Sequence, residues 1–129
     1  AGIHMKEYQD KKPVIVVGGT AQDFLGEYMA GGVLVLLGLE LKKGENHRAK
    51  YVGTGMHGGV IYLRGGIDPY QVGKEVGIAD LEDKDSRTLE KLVGEFAGYF
   101  GYDAKKIMDC KFIKLYPKYL RPYGRLYAY

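Results

Sequence analysis

The sequence predicts a mainly β fold, a short glycine-punctuated solenoid, with a helical segment towards the C-terminus. Three observations predict it: a thirteen-residue repeat, glycines at near-regular intervals, and one strong helical periodicity. Glycine supplies 20 of the 129 residues, roughly twice its usual ~7% share. The glycines are spaced and do not form low-complexity runs, which marks them as recurrent turns.

Taken in order, Ala1–His4 precede Met5 and read as a scar of expression, so His4 is set aside as non-native. Residues 5–78 carry the repeat. Val14-Ile15-Val16-Val17 is an apolar strand closed by Gly18. Gly26–Gly38 (GEYMAGGVLVLLG) and Gly53–Gly65 (GTGMHGGVIYLRG) agree at seven of thirteen positions. The shared skeleton contains Gly26/Gly53, Met29/Met56, the pairs Gly31-Gly32 and Gly58-Gly59, and Gly38/Gly65. Strand-ending glycines at 18, 38 and 65 stand 20 and 27 residues apart, and the polar stretch Leu41–His47 accounts for the longer interval. Val33–Leu37 is apolar at both parities, as in a strand covered on both faces. The glycine pairs are expected at corners, where backbones approach closely, and Met29 and Met56 are expected to fill the interior there.

Gly65–Ile78 is turn-rich, with one more strand near its end. In the helical part, residues 79–110, Leu89, Leu92, Val93, Phe96 and Phe100 fall at helical spacing. Asp85 or Ser86 offers the N-cap and Gly101 the C-terminal stop. A shorter helix is expected over Asp103–Asp109, with Ile107 and Met108 inward. Residues 111–129 hold five tyrosines, and from Lys114 onward four basic residues and no acid. Pro117 and Pro122 exclude a regular helix, which leaves an extended strap.

Composition narrows the class. A net charge of +3 does not argue for nucleic acid by itself. A single cysteine excludes an internal disulfide framework and suits a reducing, cytoplasmic setting. The longest apolar run is far short of a membrane helix.

The repeat and its surroundings resemble a known family. EYMAGGVLVLLG at Glu27–Gly38 and YVGTGMHGGVIYL at Tyr51–Leu63 are similar to successive turns of the C-terminal glycine-rich domain of the glutamate synthase large subunit. The acidic stretch, the helix and Phe112–Pro117 follow in the same order, so the resemblance runs from Val14 to Pro117. The Arg121-Pro122-Tyr123-Gly124 ending resembles free-standing versions. The resemblance implies a right-handed single-stranded parallel β-helix that braces the catalytic parts of an oxidoreductase making glutamate. It implies no catalytic, cofactor or metal residue in this chain. FMN and an iron–sulfur cluster are expected in partners: an FMN subunit and a glutamine amidotransferase subunit. A β-helix subunit of formylmethanofuran dehydrogenase shows a similar repeat. The family usually has more turns than this chain holds, as expected of a shortened relative or a piece of a longer protein.

Candidate chemistry is sparse. Gly53-Thr54-Gly55-Met56-His57-Gly58 spells G-x-G-x-x-G, with Asp80 downstream, but a dinucleotide site needs a helix after the last glycine. Here Val60–Leu63 reads as strand. His57 sits alone at a corner and His47 is expected to be exposed in its loop. Cys110, beside Asp109, reads as a buried structural thiol. Glu27 is the one carboxylate of interest within the repeat. Asp80–Asp85 are expected to solvate and cap the helix. Tyr116, Tyr119, Arg121, Tyr123 and Arg125 are candidate partner contacts. An assembly part of a glutamate-synthase-like enzyme is therefore the first expectation, and an independent self-associating module the second.

Overall fold

The structure is a computed structural model that describes residues 13–20, 23, 25–26, 29–39, 41 and 46–118. Glu27, residues 1–4 and residues 119–129, among them Tyr119, Arg121, Tyr123 and Arg125, lie outside the described residues.

The chain forms β1 (Val14–Val17), β2 (Ala30–Leu36), β3 (Gly58–Arg64), a 3-10 turn (Pro69–Gln71), β4 (Val76–Ala79), α1 (Asp83–Phe100), α2 (Ala104–Met108) and β5 (Phe112–Pro117). The strands make one sheet in the order β1-β2-β3-β5-β4. β1, β2 and β3 are parallel, with Val14 opposite Val33 and Val33 opposite Val60. β5 is antiparallel to both β3 and β4.

This architecture overturns the solenoid expectation. The repeat does stack its strands side by side, but no parallel β-helix forms. The fold is a small mixed α/β structure around an open five-stranded sheet. The physical reason lies in the second half of the chain. The apolar stripe of α1 needs a sheet face to cover it, and Phe112–Pro117 returns as a sheet strand against β3. Beyond the sheet, only the single bridges Asn46–Gly66 and Val52–Val72 join loop segments in parallel among the described residues.

Side-chain alternation divides the core in two. Val33, Val35, Tyr62 and Phe112 point to one face, where Leu89, Val93 and Ala97 of α1 and Ile107 of α2 cover them. Leu34, Leu36, Ile61, Leu63 and Leu115 point to the other, against Leu25, Met29, Val52 and Met56 of the loop layer and Val76 of β4. Both layers remove β2 from water: residues 31–38 are all buried.

The glycine pairs lie inside the strands, not at corners before them. Gly31-Gly32 fall within β2, and Gly58-Gly59 open β3. The register between β2 and β3 shifts between Ala30 and Val33. At that shift a side chain on Gly58 would run into the carbonyl of Ala30, and one on Gly59 would meet the backbone of Gly31 and Gly32 within 3 Å. Gly59 also holds φ +80, where any residue but glycine is strained.

α1 begins at Asp83, with Glu82 and not the expected Asp85 or Ser86 at its N-cap, and ends where Gly101 takes φ 76. The Gly101 and Tyr102 amides both donate to the Ala97 carbonyl, at 2.9 and 3.0 Å, closing the last turn. Among the described residues, no helix is long and apolar enough to cross a membrane.

Replacing Gly58 by Ala is expected to cost about 3 kcal/mol or more, because the clash is with backbone that cannot rotate away. Urea denaturation checks this; a midpoint unchanged from the parent chain contradicts the close approach.

Candidate functional site

The polar groups that the fold buries form two clusters. The first joins helix to sheet. Asp85 stands at the third position of α1, where its Oδ2 accepts from the Glu82 amide at 2.9 Å in a capping box. Its Oδ1 accepts from the Tyr62 hydroxyl of β3 at 2.6 Å, and its Oδ2 also accepts from Lys114 Nζ of β5 at 2.8 Å. The side chains of Asp85 and Lys114 are only 5% and 15% exposed. Burial pushes the Asp85 carboxyl up, but the Lys114, Tyr62 and Glu82 hydrogen bonds outweigh it and hold the group below its ordinary value. Burial first, and then Asp85 itself, push the Tyr62 hydroxyl well above its ordinary range. Both Asp85 oxygens are thus occupied by the protein's own donors. The cluster is a staple: it holds the first turn of α1 over β3 and β5.

The second cluster ties down the loop layer. His47 is 2% exposed, which corrects the expectation of an exposed loop histidine. Its Nε2 donates to the Arg64 carbonyl at 2.8 Å. That fixes the proton on Nε2 and leaves Nδ1 buried with no partner among the described residues. Gln71 donates to the carbonyls of His47 and Ala49, each at 2.8 Å, and accepts from the Asp68 amide at 2.9 Å. His47 is therefore a structural plug, seated where Gly38 leaves room for the imidazole.

The remaining sequence candidates disperse. Gly53–Gly58 leads into β3, so the helix that a dinucleotide fingerprint needs after its last glycine is not there. His57 Nδ1 lies 3.3 Å from the Gly55 carbonyl. Cys110 is exposed, not buried, and accepts from Arg64 Nη2 at 3.0 Å. One cysteine cannot supply the thiolates an iron–sulfur cluster requires, so this chain's residues do not fit that group. Among the described residues no three His, Cys, Asp or Glu side chains converge as for a metal. Gly26, Gly32, Gly38, Gly53 and Gly65 all take positive φ, and Met29 and Met56 are buried in the same core. Tyr116 is 37% exposed on β5, with its ring against Gly77 of β4.

Among the described residues the sheet ends in two edge strands, β1 and β4, and β1 is uncharged along Val14–Val17. Its Val14 and Ile15 are exposed, as are Tyr99, Phe100 and Tyr102 at the end of α1. Between β1 and α1 runs an open groove of about 940 Å³ lined by Val14, Val16, Leu92, Phe96, Tyr99 and Phe100. Unpaired strand edges and contiguous apolar patches are where proteins meet other chains. The helical spacing sets Phe100 on the stripe with Leu89 and Val93, but at this end of α1 the stripe runs past the sheet and Phe100 is exposed.

Comparison with known proteins follows the glycine pattern. The profile of the family described as GXGXG motif matches residues 2–121. The chain is 43% identical over 133 aligned positions to uncharacterized protein MJ1350 of Methanocaldococcus jannaschii, covering 99% of this chain and 51% of that one. It thus spans about half the length of that relative.

Two predictions separate the clusters. Asp85→Ala strands the Lys114 ammonium in a largely buried site and is expected to cost about 3–5 kcal/mol. Tyr62→Phe loses one charge-assisted bond and is expected to cost about 1.5–3 kcal/mol. A denaturation series that finds both within 0.5 kcal/mol of the parent, roughly the range of an ordinary surface change, contradicts the staple. For His47, burial lowers the imidazole pKa from 6.5 and its Arg64 hydrogen bond only partly offsets this. The unfolded chain therefore takes up the proton first as pH falls. Stability should be complete above 6.5, decline as pH falls through that value, and level off below the folded-state pKa. His47→Gln should flatten that decline in melts across the range; an unaltered slope contradicts the buried neutral imidazole.

Proposed function

We propose, because the chain belongs to the GXGXG motif family, the glutamate-synthase-related glycine-rich domain, that it serves as a non-catalytic assembly part of a glutamate-synthase-like oxidoreductase. The observation that carries the reading is the open, uncharged β1 edge beside the exposed aromatics of α1. A strand edge of this kind accepts a further strand by main-chain hydrogen bonds, and the apolar margin adds area to the contact. The saturated Asp85 and Gln71 clusters support it too, since their polar atoms are spent on holding layers together.

In this reading the redox and ammonia-releasing chemistry belongs to partners, an FMN- and iron–sulfur-bearing subunit and a glutamine amidotransferase subunit. This chain contributes surface and rigidity. Its β1 edge takes one partner. Tyr116 and the basic, tyrosine-rich residues after it, including Tyr119, Arg121, Tyr123 and Arg125, form a second contact.

Affinity purification of the tagged chain from its native source tests the proposal. The expected result is co-elution of a flavin- and iron–sulfur-containing protein, lost when Val14, whose amide points away from β2, is replaced by Pro, which cannot donate at a strand edge. Elution of the chain alone, or only as copies of itself, contradicts it.

A further inference from the structure

We propose that the depression between the first half of α1 and the β2–β3 ladder binds a small organic anion, a flat apolar or aromatic body that carries an acidic group. The depression encloses about 560 Å³, inside the ~300–1,000 Å³ range of small-molecule sites. It holds none of Glu95, Tyr99 or Phe100, which line the larger groove at the other end of α1. The outward main-chain edge of β1 and those aromatics stay with the assembly partner, and this site goes beyond that reading.

The floor is apolar. Val33 and Val60 stand opposite each other on β2 and β3 and point to the helix side of the sheet. α1 crosses the strands here. Its first turn is bonded to Tyr62 of β3 and Lys114 of β5, whereas Phe96, about three turns on, lies against Gly18 just past β1. One flank of the helix therefore forms a wall along the two valines.

That wall is cationic. Lys84, Thr88 and Lys91 follow one another at i, i+4 and i+7, so they share one face of α1. The two lysines are about 10 Å apart along the axis. Neither ammonium has an ion pair among the described residues. A third, Lys114, lines the depression from the sheet and is held by Asp85 at 2.8 Å. Among the described residues the lining thus holds three ammoniums against one carboxylate, whose oxygens are already taken. The Thr88 hydroxyl donates to the Lys84 carbonyl at 3.0 Å, which leaves Lys84 and Lys91 as the donors for a ligand.

Floor and wall together set the class. A cation is repelled by the wall, and a neutral apolar molecule gains from the valines alone. A bare inorganic anion gains from the lysines alone. An acidic group beside Lys84 and Lys91 with its apolar body on Val33 and Val60 uses both.

Fluorescence titration of the full chain with anilinonaphthalene sulfonate tests this, with N-phenylnaphthylamine, the same rings without the sulfonate, as the neutral control. Saturable binding is expected, at least about tenfold tighter for the sulfonate, with the amide signals of Val33, Val60 and Thr88 shifting in a labelled sample. Lys84→Gln with Lys91→Gln should weaken binding about tenfold. Thr88→Glu, which sets a carboxylate between the lysines, should weaken it at least as much. Lys84→Arg with Lys91→Arg keeps the charge and should keep the affinity. These positions are exposed on the helix, so the variants retain the fold. Tyr99→Ser with Phe100→Ser should leave the affinity unchanged. Absence of saturable binding overturns the proposal, as does equal affinity for the charged and neutral compounds. So do Lys→Gln variants that bind like the parent, or loss of binding in the Tyr99 and Phe100 variant, which would seat the probe in the other groove.

Discussion

The arrangement depends on one close approach, that of the Gly58 backbone to the carbonyl of Ala30. A side chain at that position would push β3 away from β2 before their ladder begins. With glycine there, the strands enter together, shift register once, and then run paired from Val33–Val60 to Leu36–Leu63. That register decides which residues face which layer. It turns Tyr62 towards the helices and Ile61 and Leu63 towards the loops. A slip of one residue would exchange the two faces. The Tyr62 hydroxyl would then leave Asp85, and α1 would lose its sheet-side anchor. The helix phase, and with it the exposure of Tyr99 and Phe100, is set downstream of a backbone contact in the first third of the sheet.

The same dependence explains where the fold buries its polar groups and where it offers surface. Asp85 accepts three hydrogen bonds, and Gln71 uses both ends of its amide. Such groups specify one packing of helix on sheet and one fold of the loop layer. Arg64 adds a third tie, from the end of β3 to the Ile107 carbonyl and Cys110 sulfur near α2. Among the described residues, the β1 edge and the groove along α1 are surface that these ties leave unused.

Much of the fold was legible in the sequence, and the failures have physical causes. Val14–Val17, Val33–Leu37 and Val60–Leu63 announce strands by being apolar at both parities, and the spacing of Leu89, Val93 and Phe96 announces α1. The near-20-residue interval correctly implies parallel neighbours. It says nothing of what covers them, and a solenoid and a helix-covered sheet share that signal. The decision was made by Phe112–Pro117, whose short alternation of Phe112, Ile113 and Leu115 competes with proline and basic residues that suggest a strap. Asp85 looked like one of several solvated acids because its partners Tyr62 and Lys114 are 23 and 29 residues away. His47 looked exposed because its neighbours are polar; the room beside Gly38 that takes its ring exists only in three dimensions. Cys110 follows α2, and its exposure reflects the turn after Met108 and not its hydrophobicity.

The most direct test of this account is the map of through-space proton contacts across the strands in a labelled sample of the full chain. Parallel and antiparallel pairs give different backbone contact patterns because their opposed residues alternate differently. The account predicts parallel contacts linking Leu34 to Ile61 and Leu36 to Leu63, together with antiparallel contacts linking Ile61 to Leu115 and Leu63 to Ile113. A map in which β5 shows no contact with β3, or in which the β2–β3 contacts are displaced by one residue, would contradict it.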